Sequence, residues 1–590
     1  MKRVTKLLTI AILFGSLLMI CSCSEEFLTK EPPGVGSAVV MPTPAGVEAL
    51  LAGTYERMQN GSSMFGGAMT SDWTYAGGCS DDAYKGTSSG DQANFNLLER
   101  YEALPNNPYL NERWTLCYDG VARANVTLQF LWLTQAGTGD KIPEARAKVI
   151  EGEAKFLRAW FHMQANKIFE KIPYIKTQEE LGDITPQEVP NTDAGWDQIE
   201  ADLQFAIDNL STEKHLGEKG RANKYTAMAF KAQAHMYQKE YTAAKPLLDD
   251  IIASGIFSLA PEFSWNFDMT HENNVESIFE LQCTTTATAH SAVHGSGCNF
   301  HQKGPASCGG WGFYQPSQNL FEAYQTTTEG LPVLDPALRD PLASDMGKGS
   351  NVDFTPTDHP LDPRVDHIIA RRGVDFLGWG IHPGNDWIRE QNNGGPYMSK
   401  LFMHTKAEQA LNQNGSGFYN GKNFRTLRYA SILLWRAECA IADNDLDMAR
   451  DLVNMIRNRA KTSTPVMGLC TSTKNLEASP VVDWTKPAAN YVVEPYPDVA
   501  GQYPFDTPAN ALLAVQNETR LEFATQNHRF FDLRRWGILE STLNAYIADD
   551  SQFRTFMQGA TFKAGEDEYW PIYQGVIDLQ EGIIEQDSDY

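Results

Sequence analysis

The sequence predicts a mainly α-helical protein: a scaffold of tetratricopeptide-like helix pairs that carries a large loop-rich region. Three observations predict it. Residues 221–254 and 426–459 align without a gap at an offset of 205. Other long stretches place apolar residues at i, i+3 and i+4, the period of one helix face. Between the two aligned segments, residues 255–424 are rich in Gly, Asn, Pro, Trp and Tyr and have little helical period.

The N-terminus reads as an export signal. Lys2, Arg3 and Lys6 precede a 14-residue apolar run from Leu7 to Ile20, which is too short to span a bilayer. The run ends at Ile20-Cys21-Ser22-Cys23. A branched residue, a small residue and then Cys resembles the bacterial lipobox and predicts cleavage after residue 22 with lipidation of Cys23. Cys21 is the competing position, and an ordinary secretory signal is the alternative. Ser24-Glu25-Glu26 resembles the surface-export signal of Bacteroidota lipoproteins. Residues 23–45, with Glu31-Pro-Pro-Gly and Pro42-Thr-Pro, read as a tether.

Helices follow. Trp114 to Leu133, Glu144 to Phe169 and Trp196 to Leu210 carry amphipathic stripes. Trp114, Trp160, Trp435 and Trp536 lie on such stripes and are assigned to the core. In the aligned pair, Ala232 matches Ala437, Leu247 matches Leu452, and Ile251 matches Ile456. Each unit is helix, polar turn, helix over about 34 residues, the tetratricopeptide period. The turns are Gln238-Lys-Glu and Asp443-Asn-Asp. One unit cannot bury its apolar face alone, so neighbouring pairs must stack on it.

Composition bounds the function. The 590 residues are 42% hydrophobic and 21% charged, as in globular proteins. Loss of residues 1–22 removes three of 49 basic residues and none of 74 acidic ones, moving the net charge from −25 to −28. Such a chain repels phosphate backbones, so nucleic acid is not an expected partner. Nine cysteines with no CxxC pair form neither a disulfide framework nor a zinc ribbon. His290, His294, Cys298, His301 and Cys308 cluster without a standard ligand spacing, and Asp443, Asp445 and Asp447 lack the Gly and Glu of a calcium loop. No G-x-S-x-G elbow, H-E-x-x-H or Walker loop occurs. Asp532 with Arg529, Arg534 and Arg535 reads as a structural ion-pair network.

Several motifs in order carry a family resemblance. Phe27-Leu28 follows the lipobox, and Glu153-Ala-Lys-Phe-Leu-Arg-Ala-Trp-Phe forms a helix motif. Leu427-Arg-Tyr-Ala leads to Asn454-x-x-Arg457-x-Arg459-Ala460. Glu518-x-Arg520 runs to Arg529-Phe-Phe-Asp-Leu-Arg-Arg-Trp536, and Pro571-Ile572 lies near the end. Together these resemble the SusD/RagB family of surface nutrient-binding lipoproteins. The departures are Gln516-Asn517 before Glu518 and the terminal Gln586-Asp-Ser-Asp-Tyr590.

The resemblance implies a single domain over 46–590. Its helical scaffold covers about 100–254 and 425–460, its loop-rich insertion about 255–424, and its C-terminal segment 511–590. It implies a lipid-anchored, surface-exposed protein of the outer membrane. Such a protein would have no catalytic residue, metal or cofactor, and would hand oligosaccharides to a SusC-like TonB-dependent transporter. Two alternatives stay open: a peptide-binding member of the same family, and a secreted glycosidase.

Sugars present weakly positive C–H faces that stack on aromatic rings, while amides and carboxylates take the hydroxyls. Loop aromatics beside Gly, Asn and Asp are therefore the expected ligand contacts: Trp73, Tyr75, Asp82 and Tyr84, then Trp311 and Tyr314, then Trp379 and Trp387.

Overall fold

Each long helix begins where the sequence supplies a cap. In the computed structural model, which describes residues 42–58, 72–283, 311–401, 403–411, 421–526, 528–588 and 590, Thr43 accepts from Gly46 N at the start of α1 (Pro44–Glu56). After α2 (Ala93–Glu99), Asn107 caps α3 (Pro108–Ala136), which also has Pro at its first position. The scaffold continues through α4 (Glu144–Phe169), α5 (Trp196–Asn209), α6 (Lys224–Tyr237) and α7 (Tyr241–Ala253). It resumes with α8 (Tyr429–Ala442), α9 (Leu446–Thr462) and α10 (Pro508–Phe523). The lipobox with Cys23, most of the tether and the His290–Cys308 cluster lie outside the described residues.

The repeat is visible in the backbone. Helix starts at 224 and 429, and at 241 and 446, keep the offset of 205. Lys239 and Asn444 occupy the same turn position with the same left-handed backbone, φ +60 in both. Ala232 and Ala437 are fully buried where helices approach. The stack runs in chain order: α3 on α4, α4 on α5, α5 on α6, α6 on α7, α7 on α8, and α8 and α9 against α10. One close approach needs glycine. A Cβ on Gly120 of α3 would lie 2.3 Å from the Phe161 ring of α4.

The helices α7 and α8 pack directly, although about 170 residues separate them in sequence. Arg436 Nε binds Asp249 at 2.5 Å, and Lys245 pairs with Asp443. The loop-rich region thus leaves from and returns to one helix interface. Its base is closed by β2 (Ser277–Leu281) and β6 (Phe424–Arg428), antiparallel with Ser277 opposite Arg428 and Leu281 opposite Phe424. The other described pairs are also antiparallel: β1 (Ala83–Gly86) with β3 (Phe313–Pro316), β4 (Ile369–Ala370) with β5 (Met398–Ser399), and β7 (Met467–Cys470) with β8 (Val482–Pro487). Short strands suit a chain broken so often by Gly and Pro.

Buried charge joins this region to the scaffold. Arg364 binds Asp362 (2.8 Å), Glu518 (2.7 Å) and Glu522 (3.0 Å). Arg457 binds Glu518 (3.0 Å), Arg459 binds Glu276 (3.1 Å) and Glu522 (2.5 Å), and Arg428 binds Glu276 and Glu522. Four arginines meet four carboxylates, so the cluster is neutral in sum and each desolvated charge has partners.

Helix α11 (Arg529–Trp536), in the C-terminal segment, is locked differently from the expectation. Asp532 pairs with Arg535 at 2.7 Å. Arg529 instead reaches Asp81 (2.8 Å), and Arg534 donates to the carbonyls of Lys167 (2.7 Å) and Glu568 (2.9 Å). Arg535 also grips Glu438 of α8 (2.6 Å). The ties run outward to four other segments, at Asp81, Lys167, Glu438 and Glu568, and not within the helix alone.

Trp114, Trp160 and Trp435 are buried as expected. Trp536 is partly buried against the core, and its Nε1 donates to Glu438 (3.1 Å). One apolar core runs from Val47 to Ile584, and a smaller one gathers Phe376, Trp387, Ile388, Met398 and Met403. Among the described residues, no helix is long and apolar enough to cross a membrane.

Candidate ligand-binding surface

The β1–β3 ribbon organises the surface. Gly86 pairs with Phe313 and has φ +78, and a Cβ there would strike Gly312 O at 2.4 Å. This tight crossing brings Thr87 N onto Gly312 O (2.5 Å) and leaves Trp311 at the open end of the ribbon. Trp311 is 44% exposed.

Polar groups converge on this ring. The Arg389 guanidinium lies 5.4 Å from the Trp311 centroid. Its Nη1 donates to Thr87 Oγ1 (2.7 Å) and Asp91 Oδ2 (2.8 Å). Ser89 N donates to Glu390 Oε2 (3.4 Å). Beneath them the buried Lys85 donates from Nζ to the carbonyls of Ser88 (3.2 Å) and Asp91 (2.7 Å), which fixes the 88–91 loop. Burial lowers its ammonium to about 8. The result is a partly exposed indole with a guanidinium over it, held in place by the Thr87 hydroxyl and the Asp91 carboxylate.

The segment after Arg389 crosses the ribbon. Asn393 Nδ2 donates to Gly86 O (2.8 Å). A Cβ on Gly394 would lie 1.9 Å from Gln315 Oε1, and one on Gly395 would lie 2.6 Å from the Tyr84 ring. On the Tyr84 side opens a cavity of about 350 Å³, lined by Tyr84, Leu342, Met346, Pro396, Phe553 and Arg554 among others. Arg554 lies over the Tyr84 ring at 3.9 Å and binds Glu99 (2.6 Å), while Phe553 is well exposed.

Most of the residues expected to meet ligand lie inside the protein. Trp73 is wedged against Phe95 and Tyr314, with ring centroids at 5.1 and 5.5 Å. Tyr75 meets Trp570 edge-on (5.0 Å) and donates to Tyr109 O (3.0 Å). Asp82 is buried on Arg520 Nε (2.9 Å). Tyr314 donates to Thr525 O (3.1 Å). Trp387 is buried near Phe376 (5.8 Å), and its Nε1 donates to Glu477. Tyr84 is 3% exposed and borders the cavity.

Buried rings offer no face to a sugar in this conformation. Trp73 and Tyr75 lie in a helical turn, Trp73–Gly77, and Tyr84 and Tyr314 in the β1–β3 ribbon, so local composition misleads about exposure. Trp379 is half-buried beside the smaller core, and its Nε1 donates to His404 O (3.1 Å). Of the eight, Trp311 alone is exposed. Sequence reasoning missed Arg389, Glu390 and Asp91. Their signal was weak, because a charged residue in a loop is ordinary.

The turn of Asp443, Asp445 and Asp447 is accounted for without calcium. Asp445 accepts from Met448 N as a helix cap (3.1 Å), Asp443 pairs with Lys245, and Asp447 with Arg450 (2.6 Å).

The chain resembles known proteins over most of its length. The model of the SusD family matches residues 275–590. A second model, described as starch-binding associating with outer membrane, matches residues 26–236. A SusD-like protein, P25, of Formosa agariphila is 23% identical over 538 residues, 90% of each chain. Among solved structures, a SusD-like carbohydrate-binding protein from Bacteroides fragilis superposes with a TM-score of 0.66 at 20% identity, covering 92% of this chain and 99% of that one. Surface glycan-binding protein A from Bacteroides thetaiotaomicron, in complex with laminarihexaose, gives 0.64 at 19% identity, covering 93% and 100%.

Proposed function

This chain belongs to the SusD family, and on that premise we propose that it is a non-catalytic cell-surface protein that captures oligosaccharides and passes them to a SusC-like TonB-dependent transporter in the outer membrane. The observation that carries the reading is the 44% exposed Trp311 ring with the Arg389 guanidinium over it, itself paired with Asp91. A pyranose needs an apolar platform for its C–H face and charged or polar partners for its hydroxyls. Both are present within one corner. The glycan-binding names of the similar structures support the same reading. Of the eight residues expected from sequence, the proposal keeps Trp311 as the platform, Tyr84 as a wall of the adjoining cavity and Trp379 as a peripheral contact. Trp73, Tyr75, Asp82, Tyr314 and Trp387 support the site from within.

We assign the anchor to acylated Cys23, on the lipobox Ile20-Cys21-Ser22-Cys23 and its acidic sequel. Several acyl chains hold a protein stably at a membrane, where one chain does not. The family description of outer-membrane association agrees with this placement. Residues 46–590 act as one unit, consistent with an apolar core that runs from Val47 to Ile584.

Titration calorimetry with neutral oligosaccharides, starting from laminarihexaose, and with a peptide mixture tests the ligand class. Saturable binding of a glycan without turnover is expected. Binding of peptides alone, or release of shorter sugars on incubation, would contradict the proposal.

A further inference from the structure

Away from the Trp311 corner, the geometry points to a divalent-metal site of the zinc class in the first repeat, built from Glu200, His235 and Glu240. One ligand atom from each lies within 4.8 Å of the other two. His235 stands in the last turn of α6 and is 6% exposed. The left-handed backbone of Lys239 reverses the chain behind it, so that Glu240 N donates to His235 O (2.8 Å). The reversal brings Glu240 Oε2 to 2.7 Å from His235 Nδ1. Glu200 comes from the neighbouring helix α5 and places Oε1 3.5 Å from the same nitrogen.

These spacings suit a small cation. Tetrahedral zinc with bonds of about 2.0–2.1 Å sets its ligand atoms roughly 3.3 Å apart. The His235–Glu200 separation is already close to that. The His235–Glu240 hydrogen bond has to open by roughly 0.6 Å to match the same geometry, and the Glu240 side chain is 48% exposed, free to move. Gln238 Nε2 donates to Glu200 Oε1 (2.6 Å), an orienting bond of the kind that surrounds metal ligands. One imidazole and two carboxylates fit zinc. Calcium asks for six to eight oxygens. A neutral His235 ring with its proton on Nε2 offers the Nδ1 lone pair to the ion.

The second repeat serves as an internal control. At the offset of 205, Ala440 stands in place of His235 and Asp445 in place of Glu240. There the carboxylate caps α9 through Met448 N instead. The carboxylate at this turn position therefore caps the start of a helix in one copy and faces His235 in the other. An ion held at this point ties α5, α6 and the start of α7 together.

The test is zinc titration of the chelator-treated full chain by calorimetry, paired with thermal melting. The expected result is one ion bound per chain at this site and a raised Tm, with affinity at least about tenfold weaker in both His235→Ala and Glu240→Gln. Glu240→Gln changes an exposed side chain, so its loss of binding is not a folding defect. Absence of saturable zinc binding, or binding and a Tm rise that persist in both variants, would overturn the site.

Discussion

The repeat helices and the inserted region are held by different forces. In 224–253 and 429–462, paired helices bury alanines, leucines and isoleucines, and the turn between them repeats down to one backbone angle. In 255–424, strands at most five residues long are fastened to the scaffold by Arg364, Glu276 and Asp362 meeting Arg428, Arg457, Arg459, Glu518 and Glu522. The difference teaches that an irregular region can be positioned by paired buried charge where apolar periodicity is lacking. It also explains the family motifs. Arg428, Arg457, Arg459, Glu518, Arg520, Arg529 and Arg535 all make buried or near-buried ion pairs. The motifs record how the fold is locked and carry little about the ligand.

The largest effect is expected at that lock. Arg364→Ala leaves Asp362, Glu518 and Glu522 facing a lost cation, at a cost of about 3–5 kcal/mol in chemical denaturation. The same cluster sets an acid limit. Burial alone would raise the Glu522 carboxyl, but Arg459, Arg428 and Arg364 outweigh it and hold it at about 2. A depressed carboxyl stabilises the fold above its unfolded pKa of about 4.3, and that share is lost as the pH falls toward 2. Glu522→Gln is expected to flatten this limb in denaturation curves taken across that range.

In the scaffold, Leu248→Ala empties a fully buried site and is expected to cost about 3 kcal/mol by the same assay. A loss below about 1 kcal/mol at Leu248, with a large one at Arg364, would mean the charge lock also carries the repeats. Smaller again is Asn223→Ala, which removes the cap that accepts from Thr226 N (2.9 Å). Its expected cost is about 1 kcal/mol, read as a drop in Tm.

The repeats were legible in sequence because helix packing writes a period into the chain. The helices start at 144 and 196, as the stripes predict, whereas α3 begins six residues before the expected Trp114 and ends three after Leu133. The candidate site was far less legible. Trp73 and Trp311 both have glycines near them in sequence, yet one opens the helical turn Trp73–Gly77, enclosed by Phe95 and Tyr314, and the other is open. Exposure depends on which distant loop covers the ring, and no spacing in the chain records that. Asp91 and Arg389 meet across almost 300 residues for the same reason.

The central claim is that ligand is held at the Trp311 corner and not on the buried aromatics. Trp311→Ala is expected to shift stability by no more than about 0.5 kcal/mol, as for other exposed positions. Calorimetry with an oligosaccharide that the native protein retains measures its effect on binding directly. The account predicts an affinity at least about tenfold lower with Tm unchanged. Full affinity in Trp311→Ala would contradict it.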